Sequence, residues 1–187
     1  MEAFLVSFGL VALAEIGDKT QFLALLLATR FQRPIPILAG ILVAALANHL
    51  TAAGIGYFLG ATLQGGWLRW LIALSFFGIA IWVLLPEKAD DTEPRPPPRL
   101  GVFGATVCMF FIAELGDRTE IATAGLAAEF HRWLPVTIGT TLAMLAANLP
   151  VVLLGRQLSR WMSSPILRWG AALLSVVLGV LALVEPG

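Results

Sequence analysis

A string of six residues occurs twice in this chain, and each copy lies inside a long apolar stretch. Residues 15–20 read EIGDKT, and residues 114–119 read ELGDRT, 99 positions later. Acidic side chains in apolar surroundings are costly unless they contact a basic group, a cation or one another. The chain therefore has to fold so that both acidic segments are shielded from those surroundings.

The composition indicates that these surroundings are a lipid bilayer. Of the 187 residues, 58% are hydrophobic and only 13% are charged, whereas a soluble domain carries roughly 25% charged residues. The formal net charge is zero, so nothing indicates nucleic acid as a partner. The single cysteine excludes an internal disulfide. We predict an all-α integral membrane protein whose first partner is the bilayer.

Six segments are long enough to cross a membrane, which takes about 20 residues of helix. The only polar linker, residues 86–99, contains five prolines and mixed charges, so we expect an extended or disordered segment. The predicted organisation is a three-helix repeat at 1–85, this linker, and a second three-helix repeat at 100–187. The predicted spans lie near residues 4–28, 35–60, 67–85, 100–128, 134–154 and 165–184.

The repeat extends beyond the motif at the same offset. Gly40 matches Gly139, and Arg33 matches Arg132. Because three spans per repeat is an odd number, the second copy must enter the membrane from the opposite side. This predicts an inverted-topology repeat, which is common in secondary transporters.

The basic residues that have no partner in the other repeat predict the orientation. All six fall on the face that holds the first, third and fifth loops, and cytoplasmic loops carry an excess of Lys and Arg. We therefore expect a cytoplasmic linker and both termini outside. These residues are Arg30, Lys88, Arg95, Arg99, Arg156 and Arg160.

The spacing of the acids predicts a cation site. Glu15 and Asp18 are three residues apart and share one face of a regular helix, as do Glu114 and Asp117. An inverted repeat would bring the two pairs together about a pseudo-two-fold axis. Carboxylate oxygens are hard ligands that suit Ca²⁺, Mg²⁺ or Mn²⁺. We predict these four acids as the metal ligands.

Other residues near the motifs are candidates for the metal site or a proton path. The asparagines could offer carbonyl oxygens or bond across helices, and the threonines could reach the glutamates only if the helix unwinds at the neighbouring glycine. For His49 we favour a satisfied interior side chain. The candidates are Thr20, Gln21, Asn48, Thr119, Glu120 and Asn148.

Lys19 and Arg118 follow the aspartates and are expected to balance charge. On a continuous helix each lies four residues after a glutamate, which favours a pair with Glu15 or Glu114. Four acids and two bases leave the cluster at −2. One divalent cation or two protons would neutralise it, and that exclusive choice is the physical basis of metal/proton antiport.

The doubled motif resembles that of the Gdt-type calcium/manganese:proton antiporter family. Both copies match E-x-G-D-[KR]-[TS] at every defined position, and the likeness includes the three-plus-three layout and the charged linker. The resemblance implies a transporter, with Mn²⁺ or Ca²⁺ moved against H⁺ and the motif acids as the metal site. It also implies manganese export across a bacterial plasma membrane, with no cofactor and no enzymatic reaction.

Alternatives remain open at this point. The chain could export an organic solute, form a channel, or be a membrane protein whose helices are only joined by salt bridges. An intramembrane aspartic protease is disfavoured, because glutamate stands three residues before each aspartate, where that pattern needs glycine. A string G-x-x-x-G at residues 56–60 could pack a homodimer or a neighbouring helix, and we favour the neighbouring helix.

Overall fold

The computed structural model of the protein describes residues 1–62, 66–85, 100–154 and 165–184. Every regular element in these ranges is an α-helix, as the composition predicts. The helices are α1 (Glu2–Glu15), α2 (Lys19–Phe31), α3 (Pro34–Thr62), α4 (Gly66–Leu84), α5 (Val102–Glu114), α6 (Arg118–Phe130), α7 (Trp133–Leu154) and α8 (Pro165–Val184).

The first and fourth expected spans are each broken into two helices at the motif. Gly17 and Gly116 adopt left-handed backbone angles, with φ of 81° and 72°, which end α1 and α5 at their glutamates. Glycine has no Cβ and takes this conformation without strain. The prediction of one continuous helix through each motif is therefore wrong, and local unwinding at the glycine is the correct alternative.

Each half of a broken helix is too short to cross a bilayer alone. Helix α1 has 14 residues and α2 has 13, which corresponds to about 20 Å each at 1.5 Å per residue. The hydrocarbon core is about 30 Å thick. By contrast, α3 with 29 residues and α7 with 22 are long and apolar enough to span it.

The two halves of the chain repeat the same packing contacts at the offset of 99. Gly40 of α3 lies against α5, where an added methyl group would come within 2.6 Å of Thr106 Cβ. Gly139 of α7 lies against α1, where the same group would come within 3.2 Å of Ser7 Cβ. Small residues at such crossings let helix backbones approach closely. The matched glycines therefore allow the same close approach of two helices in both halves of the chain.

Helices α3 and α7 are central to the bundle. Helix α3 contacts α5, α6 and α7, and α7 also contacts α1 and α2, while α4 packs mainly on α8. Among the residues that the structure describes, Phe76 and Phe110 are the largest side chains that are fully buried. Many large apolar side chains on the outside are exposed, as expected for helices that face lipid. They include Phe22, Ile35, Phe58, Ile81, Ile112 and Leu181.

The G-x-x-x-G string packs within the chain. Gly56 of α3 lies on the backbone carbonyl of Ala124 in α6, and an added Cβ at Gly60 would lie 2.9 Å from the carbonyl oxygen of Ala128. Both glycines are buried. The interpretation as a contact with a neighbouring helix is therefore correct.

The predicted linker at residues 86–99 lies outside the described residues. Five of the six basic residues that predict the orientation also lie outside them, and Arg30 of α2 is the one that the structure describes. The five are Lys88, Arg95, Arg99, Arg156 and Arg160.

Candidate metal centre

The two helix breaks place the four motif acids at helix ends. Glu15 and Glu114 are the last residues of α1 and α5, and Asp18 and Asp117 occupy the N-cap positions of α2 and α6. Each break is closed by a backbone bond from the aspartate N–H to the glutamate carbonyl oxygen, 3.2 Å in the first motif and 3.0 Å in the second. The carboxylates therefore project from short turns, and a helical spacing rule does not describe their positions.

Three of the four predicted ligands come together. One carboxylate oxygen from each of Glu15, Glu114 and Asp117 lies within 4.8 Å of the other two. All three residues are buried, with at most 2% of their surface exposed. Asp18 is also buried but does not belong to this group. Three carboxylates at this separation can share one cation, and without a cation or protons they repel one another.

The two basic residues pair across the repeats. Lys19 Nζ lies 2.7 Å from Asp117 Oδ1, and an Arg118 Nη2 nitrogen contacts Asp18 Oδ1. The expected pairs of Lys19 with Glu15 and of Arg118 with Glu114 are therefore not the ones found. The break between glutamate and base starts a new helix, so the i,i+4 geometry is lost. Each base instead reaches the aspartate of the opposite motif.

The burial of the two ion pairs differs strongly. The Arg118 side chain is 5% exposed, whereas that of Lys19 is 44% exposed. Arg118 also donates to the carbonyl oxygen of Ala14 at 3.3 Å, in the last turn of α1. The carbonyl end of α1 is therefore stabilised by a charge from the other repeat. Sequence reasoning missed this contact, because nothing local to residue 14 indicates it.

The threonines of the motifs contact the glutamates. Thr20 Oγ1 donates to Glu15 Oε2 at 3.0 Å, and Thr119 Oγ1 donates to Glu114 Oε2 at 3.2 Å. These bonds exist because the helix breaks bring each hydroxyl back toward the end of the preceding helix. Each glutamate keeps a second oxygen, Oε1, which is buried and has no hydrogen-bond partner.

Gln21 and Glu120 support the two breaks. The N–H of Gly17 donates to Gln21 Oε1 at 2.8 Å, and the N–H of Gly116 donates to Glu120 Oε2 at 2.5 Å. Each side chain therefore satisfies a backbone donor that the break leaves without a helical partner. This contact accounts for the polar residue at this position in both motifs.

The two asparagines, which correspond in the repeats after a slip of one residue, lie on the two long helices. Asn48 Nδ2 donates to the carbonyl oxygen of Phe111 at 3.2 Å, and Asn148 Nδ2 donates to that of Met144 at 3.0 Å. The Oδ1 atoms of both are buried without a partner. His49 Nδ1 lies 3.4 Å from the hydroxyl of Thr141, and its Nε2 has no partner, so the expectation of a fully satisfied histidine is met only at one nitrogen.

Thr141 is a further polar contact that sequence reasoning missed. It belongs to a run of three buried threonines on α7. The hydroxyls of Thr137 and Thr140 donate to carbonyls of their own helix, whereas that of Thr141 lies beside His49 Nδ1. Three threonines in one apolar span were the available signal.

Broken helices that meet at buried oxygen ligands are the architecture of secondary ion transporters. Comparison with known proteins gives the particular family. A family model described as "Divalent cation/proton antiporter GDT1" matches residues 3–91 and 102–186. The chain belongs to this family of membrane transporters, so it is not an enzyme, and the resemblance inferred from the doubled motif is confirmed.

Individual relatives agree with this assignment. A protein of Vibrio cholerae serotype O1 named "Putative manganese exporter" is 48% identical over 157 residues, covering 83% of this chain and 78% of that protein. GDT1-like protein 5 of Arabidopsis thaliana is 26% identical over 223 residues, covering 100% of this chain and 97% of that protein. A GDT1-like protein of Synechocystis sp. is 29% identical over 153 residues, covering 71% and 73%. No solved structure matches the chain.

Proposed function

We propose that this protein exports Mn²⁺ from a bacterial cytoplasm in exchange for protons, and that the motif acids bind the metal. The observation that carries the proposal is the group of three buried carboxylates, from Glu15, Glu114 and Asp117, whose oxygens lie within 4.8 Å of one another. The relative that is 48% identical, and whose name describes a manganese exporter, supports the choice of metal. Mn²⁺ accepts carboxylate, carbonyl and hydroxyl oxygens.

The pairing of the charges supports exchange for protons. Asp117 and Asp18 each face a base of the opposite motif, which leaves the charges of Glu15 and Glu114 to be balanced. Both glutamates carry a buried oxygen without a partner. One divalent cation between them, or one proton on each, neutralises the site. We therefore propose an electroneutral exchange of two protons for one metal ion.

The repeat supports a specific architecture. We propose six spans arranged as two inverted three-helix repeats, 1–85 and 100–187, joined by a cytoplasmic linker at 86–99, with both termini outside. The matched glycine contacts support the repeat, and the excess of basic residues on one face supports the orientation. In this arrangement α1 and α5 end, and α2 and α6 begin, near the middle of the bilayer.

The unequal exposure of the two bases supports entry from the cytoplasmic side. Lys19, the half-exposed base, begins α2, and α2 leads to Arg30 at its far end. Arg118, the buried base, begins α6, which leads to the opposite face. We propose that this conformation admits the metal alongside α2 and is closed alongside α6.

Flux in proteoliposomes tests the function. The wild-type protein should move Mn²⁺ when a pH gradient is applied, and Mn²⁺ should drive proton movement in return. Glu15→Gln and Glu114→Gln should abolish both fluxes, whereas Glu2→Gln, an exposed acid at the start of α1, should retain them. Normal coupled flux in both site variants would refute the proposed site. Flux of Mn²⁺ without proton movement would indicate a channel instead.

Calcium is the second candidate cargo, because it takes the same oxygen ligands. The family description names divalent cations without choosing among them. The same vesicles loaded with Ca²⁺ in place of Mn²⁺ distinguish the two metals. Faster proton-coupled flux of Ca²⁺ at equal concentration would reassign the cargo and leave the site unchanged.

A further inference from the structure

Four buried side-chain oxygens in the described part of the chain have no hydrogen-bond partner, and they form two pairs with one member in each repeat. One pair is Oε1 of Glu15 and Oε1 of Glu114, which belong to the proposed metal site. The other pair is Oδ1 of Asn48 and Oδ1 of Asn148, on α3 and α7. The glutamates match at the offset of 99, and the asparagines correspond after a slip of one residue. An amide oxygen without a partner on each of the two central helices indicates a shared need rather than a single packing defect.

Asn48 lies beside the end of α5. Its amide donates to the carbonyl oxygen of Phe111, which is three residues, or about one helical turn, before Glu114. The amide is therefore fixed at the level where α5 ends and the acidic cluster begins. With the nitrogen occupied in this way, the carbonyl oxygen is the atom left without a partner.

Asn148 lies at the corresponding level of α7. The preceding residue, Ala147, accepts a hydrogen bond from Gln21 Nε2 at 2.9 Å. Gln21 is the side chain that closes the break at Gly17, so this part of α7 adjoins the first motif. The amide nitrogen of Asn148 donates to the Met144 carbonyl of its own helix, which is also the acceptor for the backbone N–H of residue 148.

Buried amide oxygens without a partner would destabilise a protein that never bound a ligand beside them. A buried acceptor without a partner costs about 1–3 kcal/mol, and leucine would fill each position without that cost. Water molecules could satisfy these oxygens only if the cavity beside them were large and polar enough to hold water. A hard divalent cation is a partner of the chemistry that both the amide oxygens and the carboxylate oxygens lack.

We propose that Asn48 and Asn148 supply neutral oxygen ligands to the divalent cation that this transporter carries. The inference rests on the proposed function and extends it from charged to uncharged ligands. Two amide oxygens added to three carboxylates bring the site close to the about six oxygens that hard divalent cations take. Because amide oxygens do not bind protons near neutral pH, they remain available to the metal while the glutamates exchange it for protons.

The experiment compares Asn148→Leu with wild-type protein in detergent. Unfolding temperature is measured in excess chelator and again during titration with Mn²⁺. The chelated variant should unfold at the wild-type temperature or above it, because it loses an unsatisfied oxygen and a redundant bond to Met144. Its Mn²⁺ affinity should fall by about tenfold or more, since losing even an indirect metal partner costs about 10–100-fold.

Two further variants make the outcome decisive. Asn148→Asp keeps an oxygen at the same place and should bind Mn²⁺ at least as tightly as wild type at pH 8. Thr140→Val is the control, because its buried hydroxyl is already bonded within α7. Its Mn²⁺ titration should show wild-type affinity.

Asn48→Leu repeats the test in the other half of the chain, at the cost of the bond to Phe111. Wild-type affinity in both leucine variants would overturn the proposal. Failure of Asn148→Leu to fold in chelator would also overturn it, because the oxygen would then serve the empty protein. If Mn²⁺ does not shift the unfolding temperature of the wild-type protein, the proposed function itself fails. The asparagine assignment then fails because the site does not bind the metal, and not because the asparagines are outside it.

Discussion

The two crossed ion pairs differ in burial, and this difference makes a quantitative prediction. Arg118 and Asp18 are both almost fully buried, with side chains 5% and 0% exposed. Arg118→Gln leaves a buried carboxylate without its cationic partner, and breaking a buried pair in this way typically costs about 3–5 kcal/mol. We expect a loss of that size in the free energy of unfolding.

Lys19 provides the matched comparison within the same protein. Its side chain is 44% exposed, although its partner Asp117 is 1% exposed. Water can enter beside Asp117 when Lys19 is changed to Gln, so the loss should be about 1–2 kcal/mol, between the ranges for exposed and buried pairs. The two variants remove one positive charge each from equivalent motif positions. They differ in solvent access and in the bond that Arg118 makes to the Ala14 carbonyl oxygen.

Unfolding by sodium dodecyl sulfate in mixed micelles, in excess chelator, measures both losses. Adding Asp18→Asn to Arg118→Gln should restore part of the lost stability, since the uncompensated charge is then gone, and the double-mutant cycle isolates the pair. The reasoning is refuted if the Lys19 and Arg118 variants lose the same free energy. It is also refuted if Asp18→Asn adds to the loss.

The remaining predictions concern helix contacts and the helix breaks, and each is measured as a change in unfolding free energy. Gly56→Ala should destabilise by about 1–3 kcal/mol, because its Cβ meets the Ala124 carbonyl. Gly54→Ala is the comparison: its Cβ would have nothing within 4 Å, so the variant should be neutral or stabilising by up to about 1 kcal/mol. Equal effects of the two variants would contradict the packing of Gly56 against α6. Gly116→Ala should cost about 1–2 kcal/mol through its positive φ, and Gly116→Asn should cost less; the reverse order would show that φ is not the cause. Phe76→Ala should cost about 3–5 kcal/mol from the buried core, and a loss under about 1 kcal/mol would show that the α4 core is not formed.

The membrane class and the identity of the acidic residues could be predicted from the sequence. Apolar segments of about 20 residues constrain a chain strongly, because backbone polar groups in lipid must be satisfied within a helix. The doubled motif predicted that all four acids meet, since acids at equivalent positions of a repeat face a common axis, and Glu15, Glu114 and Asp117 do lie together. The alternative of unwinding at Gly17 was also visible, because glycine is the residue that permits a positive φ.

The partners of the charged groups could not be predicted in the same way. Helical spacing favoured Lys19 with Glu15, but the break at Gly17 ends the helix between them, and the lysine pairs with Asp117, 98 residues away. Rules for helix neighbours hold only while the helix continues. A contact between distant segments depends on how the two broken helices cross, and local sequence does not encode that crossing.

By itself, the sequence determined that acids are enclosed by apolar helices in two related copies, because composition and periodicity act locally and repeat along the chain. Tertiary structure decided the rest. It separated Asp18 from the group formed by the other three acids, buried Arg118 while leaving Lys19 half exposed, and left the asparagine oxygens without partners. These differences arise because two nearly identical motifs pack against different neighbours. Contacts between the two repeats set the burial and the charge pairing, and neither motif alone contains the information for those contacts.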